Sequence, residues 1–346
     1  MKKVDTDYIV EVLTRLCKTP SPTGNSEAAV ALLEDEFRKL GIPTRRTNKG
    51  ALIATVKGRD EKHQRTLSGH VDTLGAMVRE IKGNGRLAMT SVGGYMWNAV
   101  EGEHCLIEAA NGKKYTGTIL TTKPSTHVWG AESNKQERNM DTMEIRLDER
   151  VKSREDTEKL GIRVGDFVAF DPRTEVTPSG FIKSRHLDDK AGCASIMGAA
   201  KFLVDNQLTP AATTNFFISN YEEVGHGAAG GWPAETTEFI AVDMGCIGEG
   251  LTGDEYSVSI AVKDSSGPYH LGMRKRLVEL AEAEKISYKL DVFPFYGSDA
   301  SAALRAGADI LTACIGPGVD ASHAHERTHR DGIEATAKLC IAYILK

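Results

Sequence analysis

Residues 66–72, TLSGHVD, mark the point at which the pattern of this sequence changes. They read as a short strand that ends beside an aspartate. Upstream of them, apolar residues recur with a helical period over residues 7–18 and again over residues 25–40, and another strand is predicted at residues 51–56. Gly41, directly after the second helical segment, is a typical helix stop. The first part of the chain therefore predicts alternating helices and strands.

A different pattern occupies residues 75–178. Short β segments there are separated by turn signals, namely GNG at 83–85, NG at 111–112 and GD at 165–166. No helical period interrupts this block, and its polar stretch at residues 121–139 is predicted to form a long loop. An α/β pattern that is split by an all-β block predicts an inserted β-barrel domain.

Helices and strands alternate again after this block. We expect helices at 189–206, 271–284 and 332–345, and strands at 213–219, 239–243, 256–262, 288–295 and 309–315. The predicted fold class is therefore α/β, with a mixed sheet in α/β/α layers and an inserted small β-barrel. The predicted domains are residues 1–74 together with 179–346, and residues 75–178.

The composition is that of an ordinary globular protein, and it argues against several classes of function. Of 346 residues, 40% are hydrophobic and 26% are charged. The 43 Lys and Arg residues are outnumbered by 48 Asp and Glu residues, so no basic excess favours binding to nucleic acid. The six cysteines occur without a C-x-x-C pair and predict neither a disulfide framework nor a zinc ribbon. The sequence shows no signal peptide and no apolar run of about 18 residues, so we expect a cytoplasmic protein without a membrane span.

Four short motifs place polar side chains where strands end or a helix begins, which is where open α/β sheets bind their ligands. They are GHVD at 69–72, LDDKAG at 187–192, NYEEVG at 220–225 and VDMG at 242–245. Taken singly, each is more often structural, because aspartates cap helices and paired carboxylates beside a glycine occupy solvated loops. In the first motif, residues i and i+2 of an extended chain face the same side, so Asp72 can hold the imidazole of His70.

A group of histidines within residues 323–329 completes this set. Two imidazoles and three carboxylates gathered at strand ends are the ligands of a dinuclear site for divalent cations. Two dications would be balanced by Asp188, Glu223, Asp243 and a bridging hydroxide, whereas the bare carboxylates could not be buried together. Imidazole and carboxylate ligands suit several divalent metals, so the pattern does not select one of them.

Two further motifs match known signatures, but their context argues against both. GHGAAG at 225–230 matches the dinucleotide-binding pattern, yet residues 221–223 separate it from the preceding strand, and GWP at 231–233 prevents the helix that a pyrophosphate needs. HERTH at 325–329 matches the H-E-x-x-H pattern of zincins, which must lie on a helix and commonly has a third ligand well downstream. The pair DG at 331–332 interrupts that segment early, so we interpret the match as accidental.

The motifs G-H-x-D, L-D-D-K-A-G, E-E-V-G and V-D-M-G, followed by a late histidine, resemble in this order the cytosolic dinuclear metalloaminopeptidases of clan MH. The most similar branch contains the glutamyl aminopeptidases and the tetrahedral TET aminopeptidases. The resemblance covers nearly the whole chain, and the inserted block falls where that branch has a small PDZ-like dimerisation barrel. It implies a zinc-peptidase-like catalytic domain and self-association as dimers, which in many relatives form a tetrahedral dodecamer.

The resemblance also implies metal-ligand roles. Asp188 would bridge two metals, His70 and Asp243 would complete one site, and Glu223 with the late histidine would complete the other. Many members carry Arg-Tyr before that histidine, whereas this chain has VDAS at 319–322. The choice therefore lies among three histidines: His323, His325 and His329.

We choose His323 as the metal ligand. It follows Ile315, the end of an apolar strand, by eight residues, and the GPG turn at 316–318 can redirect the chain toward the ligand edge of the sheet. By resemblance, Glu222 would be the general base. Asp72 would orient the first histidine ligand, and Asp189 would support the bridging aspartate.

These features predict a metal-dependent aminopeptidase that removes the N-terminal residue from small peptides, through hydroxide activated by two divalent metal ions per subunit. Zinc or cobalt is expected, and manganese is also compatible. The alternatives are a related metal-dependent deacylase or carboxypeptidase with the same metal cage, and a non-catalytic assembly protein built on the barrel. The presence of both Glu222 and Asp188 disfavours the non-catalytic alternative. The expected partners are small peptides and further copies of this chain, rather than nucleic acid or membranes.

Overall fold

The structure is a computed structural model that describes residues 2–346. The chain forms two compact units. The larger unit contains the residues up to Asp72 and those from Arg173 onward, and the smaller unit is Thr73–Pro172. Within the described residues, no helix combines the length and the apolar character that crossing a membrane requires.

The elements are numbered in chain order over the described residues. The α-helices are α1 (Thr6–Cys17), α2 (Glu27–Lys39), α3 (Thr126–Trp129), α4 (Ala131–Lys135), α5 (Arg154–Lys159), α6 (Leu187–Asp205), α7 (Leu271–Ala283), α8 (Asp299–Arg305) and α9 (Arg330–Leu345). The strands are β1 (Thr44–Arg46), β2 (Leu52–Val56), β3 (Asp60–His70), β4 (Gly75–Ile81), β5 (Leu87–Val92), β6 (His104–Glu108), β7 (Lys114–Thr121), β8 (Met143–Leu147), β9 (Phe167–Phe170), β10 (Glu175–Val176), β11 (Phe181–Ser184), β12 (Ala212–Ser219), β13 (Thr236–Val242), β14 (Gly245–Cys246), β15 (Val258–Asp264), β16 (Gly267–Pro268), β17 (Tyr288–Val292), β18 (Leu311–Val319) and β19 (Glu326–His329). Single 3₁₀ turns cover Trp97–Ala99 and Glu222–Val224.

A ten-stranded mixed sheet forms the centre of the larger unit, with the order β1-β2-β12-β3-β13-β18-β15-β16 and with β14 and β17 paired at its sides. The four strands in the middle, β12, β3, β13 and β18, are mutually parallel. Their carboxyl ends therefore meet at one edge of the sheet, and the chain leaves all four strands on that side.

Helices cover both faces of this sheet. On β12, Phe216 and Ile218 pack into a core with α1, α2, α6 and α9, while Phe217 packs into a second core with α8. β13 shows the same alternation, since Ile240 joins the first core and Phe239 the second. Alternate residues of a strand point to opposite faces, so residues 216–218 and 239–242, which are buried on both faces, form continuous apolar runs. The predicted α/β class with its mixed sheet is confirmed.

Helix α6 lies against the sheet in the first core, and two glycines permit its close contacts. A Cβ atom at Gly192 would lie 2.0 Å from the carbonyl oxygen of Val242, at the end of β13. A Cβ atom at Gly198 would lie 2.3 Å from the Cδ1 atom of Ile9 on α1. The amino end of α6 is thereby held directly beside the carboxyl end of a central strand.

The smaller unit is a closed six-stranded barrel with the order β4-β5-β8-β7-β6-β9. Each strand contributes at least one buried apolar side chain to a separate core, and examples are Val78, Met89, Ile107, Ile119, Ile145 and Val168. Closure leaves no unpaired sheet edge in the barrel.

The prediction of a helix-free block over residues 75–178 is wrong, because α3, α4 and α5 lie within it. The first two occupy part of the stretch 121–139, which the sequence predicts to be a loop. These helices have four, five and six residues, which is too short to show an apolar period. α5 carries a local signal nonetheless, since Ser153 Oγ accepts the backbone N–H of Asp156 (3.2 Å) as an N-cap.

Other elements also differ from expectation, notably α8 and β3. The sequence does not predict α8, which has only seven residues. β3 begins at Asp60, whereas the sequence predicts a start at residue 66. The prediction misses the first residues of the strand because they are polar and largely exposed and give no apolar alternation.

Candidate metal centre

The parallel strands bring the predicted ligands to one edge of the central sheet. His70 is the last residue of β3, and Asp243 directly follows β13. Glu223 lies in the 3₁₀ turn after β12, His323 lies in the loop after β18, and Asp188 lies at the amino end of α6. Residues that are far apart in the sequence thus meet where an open α/β sheet binds ligands.

Asp188 lies between the two histidines. Its Oδ1 atom is 3.2 Å from His70 Nε2, and its Oδ2 atom is 3.2 Å from His323 Nε2. Two groups of potential ligand atoms result, each with its atoms within 4.8 Å of one another, and they share Asp188: His70, Asp188 and Asp243 form one group, and Asp188, Glu223 and His323 form the other. One carboxylate with an oxygen turned toward each group has the arrangement of a bridging ligand.

The ring of His70 is fixed from the side opposite Asp188. Its Nδ1 atom lies 2.9 Å from the backbone carbonyl oxygen of Asp72 and 3.5 Å from that residue's Oδ1 atom. A hydrogen bond at Nδ1 places the other nitrogen, Nε2, toward the ligand group.

The Asp72 carboxylate is completely buried and holds the backbone of the two adjacent glutamates. It accepts the backbone N–H of Glu222 on Oδ1 (3.2 Å) and that of Glu223 on Oδ2 (3.3 Å). The hydroxyl of Thr23 also donates to Oδ2 (2.7 Å). Burial acts to raise the pKa of Asp72, but the hydrogen bond and charge of His70 outweigh it and lower that pKa.

Glu222 and Glu223 are adjacent in sequence but approach different histidines. Glu222 Oε2 lies 3.8 Å from His70 Nε2, and Glu223 Oε2 lies 3.7 Å from His323 Nε2. The side chain of Glu222 is 15% exposed and that of Glu223 is 4% exposed. The more accessible carboxylate can therefore meet an incoming molecule, while the other lies within a ligand group.

Asp189 is also completely buried and acts on the backbone nearby. Its Oδ2 atom accepts the N–H of His70 (3.2 Å), and its Oδ1 atom accepts the N–H of Gly192 (3.0 Å). These contacts join the end of β3, which carries His70, to the first turn of α6, which carries Asp188.

The electrostatics of this cluster suit bound cations. Burial raises the pKa of Asp243 to about 7, with the charge of Asp188 adding to the effect. Burial likewise raises the pKa values of Glu222 and Glu223 well above their usual range. The pKa of Asp188 is lowered, because hydrogen bonds from His323 and His70 outweigh its burial. Imidazole nitrogens and carboxylate oxygens are suitable ligands for divalent metals, and positive charge would relieve this crowding of carboxylates.

The two other histidine candidates lie outside both ligand groups. His329 Nε2 is 3.0 Å from the carbonyl oxygen of Ser179, and its Nδ1 atom accepts the N–H of Asp331 at the start of α9 (3.2 Å). The segment Glu326–His329 is strand β19, so H-E-x-x-H does not lie on a helix here. The G-x-G-x-x-G match at 225–230 leads into strand β13 rather than into a helix.

Two residues near the ligand groups have no signal in the sequence that would single them out for this site. Tyr296 donates its hydroxyl to the carbonyl oxygen of Met244 (2.9 Å), the residue after Asp243. Glu326, part of the H-E-x-x-H match that is interpreted above as accidental, is 2% exposed. It accepts the backbone N–H groups of Asp188 and His323.

Comparisons with known proteins give one consistent family and fold. The family model for M42 glutamyl aminopeptidases matches residues 50–339. YhfE of Bacillus subtilis (strain 168), a provisionally assigned aminopeptidase, is 54% identical over 335 residues, which are 97% of this chain and 96% of that protein.

Two solved structures of TET peptidases show the same fold. The TET aminopeptidase of the marine sediment archaeon Thaumarchaeota archaeon SCGC AB-539-E09 superposes with a TM-score of 0.89 at 19% identity, over 98% of this chain and 97% of that one. The TET1 peptidase of Pyrococcus horikoshii superposes with a TM-score of 0.82 at 24% identity, over 98% of this chain and 99% of that one. That peptidase is described as able to assemble into a tetrahedron or a large octahedral shell.

Proposed function

This chain belongs to the M42 glutamyl aminopeptidase family, and we propose that it holds a dinuclear metal centre in which two divalent cations share Asp188. Membership makes the chain an aminopeptidase, a hydrolase of peptides, and peptidases of this family depend on metal. The observation that carries the proposal is the position of Asp188, with one oxygen 3.2 Å from His70 and the other 3.2 Å from His323.

The proposed ligands follow from the two groups. His70, Asp188 and Asp243 would hold one cation, and Asp188, Glu223 and His323 would hold the other. Bound cations would supply Lewis-acid chemistry, polarising the scissile carbonyl and making a water molecule acidic enough to attack it at neutral pH. Zinc, cobalt and manganese all suit this mixture of nitrogen and oxygen ligands, and zinc or cobalt is the proposed pair of choices.

Glu222 is the proposed general base. Its carboxylate takes a proton from the attacking water and delivers it to the amine that leaves. The hydrogen bonds from its own N–H and from that of Glu223 to Asp72 fix the turn that carries both glutamates. Asp72 therefore positions the base and, through its carbonyl oxygen, also the ring of His70.

The proposed substrates are small peptides with a free N-terminus. The test measures hydrolysis of aminoacyl p-nitroanilides and of N-acyl amino acids by chelator-treated protein, before and after Zn²⁺, Co²⁺ or Mn²⁺ is added. We expect metal-dependent release of p-nitroaniline and little deacylation. Activity confined to the N-acyl substrates would contradict the proposal and favour a deacylase.

We also propose that the chain self-associates as dimers, and further as a closed shell like that described for the Pyrococcus horikoshii relative. On the barrel unit, Val128 and Trp129 of α3 are 72% and 41% exposed, which suits an apolar contact with a second copy. Sedimentation velocity at micromolar concentration should show dimers or larger species. A Val128→Ser, Trp129→Ser double variant should sediment as smaller species. A Val176→Ser variant, which alters an exposed valine of the other unit, should sediment like the wild type. A stable wild-type monomer would remove this proposal.

A further inference from the structure

Glu326 connects the backbones of two proposed metal ligands. Its Oε2 atom accepts the N–H of Asp188 (3.1 Å), and its Oε1 atom accepts the N–H of His323 (2.9 Å). The side chain is buried, and each of its oxygens faces one of these donors. A buried carboxylate with both oxygens engaged by backbone N–H groups is suited to hold geometry rather than to transfer protons.

The surrounding strands bring these two backbones together. Strand β19 pairs with β11, with Glu326 opposite Ser184, and β11 leads directly into α6 and Asp188. On the other side, the bridge between Asp320 and Arg327 closes the loop that contains His323. The Glu326 side chain thus spans the junction between the loop and the start of the helix.

His323 needs such support because its φ angle is +64°. A residue with a side chain adopts this left-handed conformation rarely, and it persists where the surrounding structure holds it. The hydrogen bond from its own N–H to Glu326 is one such restraint, applied at the residue that carries the imidazole.

We propose that Glu326 is a positioning residue for the cation position formed by Asp188, Glu223 and His323. This inference rests on the proposed dinuclear centre and gives the glutamate of the H-E-x-x-H match a role different from the one it has in zincins. Glu326 acts through the two backbones and is not a ligand. The other position, with His70 and Asp243, shares only Asp188 with it and depends on Glu326 less.

The test compares Zn²⁺ binding by metal-free wild type and by Glu326→Gln, using calorimetric titration against a competing chelator. In Glu326→Gln, an amide NH₂ group faces one of the two N–H donors, so one hydrogen bond is lost. We expect one of the two equivalents to bind about 10–100-fold more weakly, the usual effect of losing a group that orients metal ligands, while the other equivalent keeps its affinity. Glu326→Asp keeps the charge but is one methylene shorter, and it should lower the Zn²⁺ affinity of the same equivalent. This variant replaces Glu326→Gln in the test if the glutamine variant does not fold.

Glu36→Gln is the matched control. Glu36 is 4% exposed, lies in the same unit and accepts hydrogen bonds from Arg15 and Lys39 (2.9 Å each), so its variant should lose stability but bind both equivalents normally. Unchanged binding in Glu326→Gln, an equal loss at both equivalents, or the same loss in Glu36→Gln would overturn the inference. A wild-type chain that binds fewer than two equivalents would overturn the proposed function itself, and this inference with it.

Discussion

Asp188 is the residue on which both ligand groups depend, because each of its carboxylate oxygens faces a different histidine. Other carboxylates near it hold the surrounding backbone. Asp72 fixes the turn of Glu222 and Glu223, and Asp189 fixes the backbone of His70. Adjacent residues therefore have separate roles, one directed at ligand atoms and the other at the backbone that carries them.

Glu222→Gln should retain metal and lose activity. The glutamine keeps the shape of the side chain but cannot accept the proton, so kcat should fall by roughly 10²–10⁴-fold, the usual contribution of a general base. Metal analysis and steady-state kinetics measure the two effects separately. Glu223→Gln is the matched variant and should lose metal, and if instead Glu222→Gln loses metal while Glu223→Gln retains it, the two roles are reversed.

His323→Ala should lose about one metal equivalent per subunit and nearly all activity, because one position loses its imidazole. His325→Ala and His329→Ala should keep both equivalents, since neither residue belongs to a ligand group. Elemental analysis of the three purified variants distinguishes these outcomes. Metal loss in His325→Ala and His329→Ala, with His323→Ala unaffected, would restore the zincin interpretation.

At the scale of elements, the contact between α6 and β13 determines where Asp188, the proposed bridging ligand, lies. Helix α6 approaches β13 closely because Gly192 has no side chain. Its amino end, with Asp188 and Asp189, therefore lies beside the strand that Asp243 directly follows.

Gly192→Ala should destabilise the protein by about 1–3 kcal/mol, as overpacking of a tight contact usually does. The new Cβ would lie 2.0 Å from a backbone oxygen of Val242, which cannot move without shifting β13. Gly198→Ala in the same helix places its Cβ against the flexible end of the Ile9 side chain. Alanine also has a higher helix propensity than glycine, which offsets part of the clash, so we expect a smaller loss of stability. Chemical denaturation measures both, and equal losses in the two variants would contradict this explanation.

The elements that the sequence predicts well are those with a long apolar pattern. β12 and β13 are recognisable because both faces of each strand are buried over residues 216–218 and 239–242, which makes these runs continuously apolar. The helices α3, α4, α5 and α8 are too short for a period, and the first residues of β3 are polar, so these features escape prediction.

The predicted ligand set could be read from short motifs because strand ends carry it, and the structure brings all five of its residues together. The part played by Glu326 could not be read in the same way. Its hydrogen bond to Asp188 joins residues that are 138 positions apart in the sequence, and it depends on the pairing of β11 with β19.

At the scale of the whole molecule, the buried carboxylates link metal content to stability. Asp243 has an ordinary pKa of 3.8, and burial raises it to about 7 in the fold. Its protonated form is therefore favoured in the folded state. The stability that this group contributes is present below pH 3.8 and is lost as the pH rises through about 7. His70, whose pKa is also raised, changes stability in the same direction.

The metal-free protein should accordingly lose about 1–4 kcal/mol of stability between pH 4 and pH 8. Bound cations should reverse much of this loss near neutral pH, because they replace protons as the partners of the carboxylates. Scanning calorimetry at several pH values, with chelator and with Zn²⁺, measures the two Tm profiles. A metal-free Tm that rises across this range, or that equals the metal-loaded Tm at pH 7, would contradict the shared site.

The proposed ligands lie at the end of β3, at the start of α6 and after β12, β13 and β18, so they span the sequence from residue 70 to residue 323. During translation, a nascent chain that has emerged from the ribosome only as far as β13 carries His70, Asp188 and Glu223 but has no imidazole for the second cation. Under the proposed function, such an unfinished chain cannot cleave peptides, and neither can a product that stops before residue 323. The order of strands in the sheet thus places a required ligand late in the chain, so under the proposed function activity depends on synthesis of nearly the whole catalytic unit.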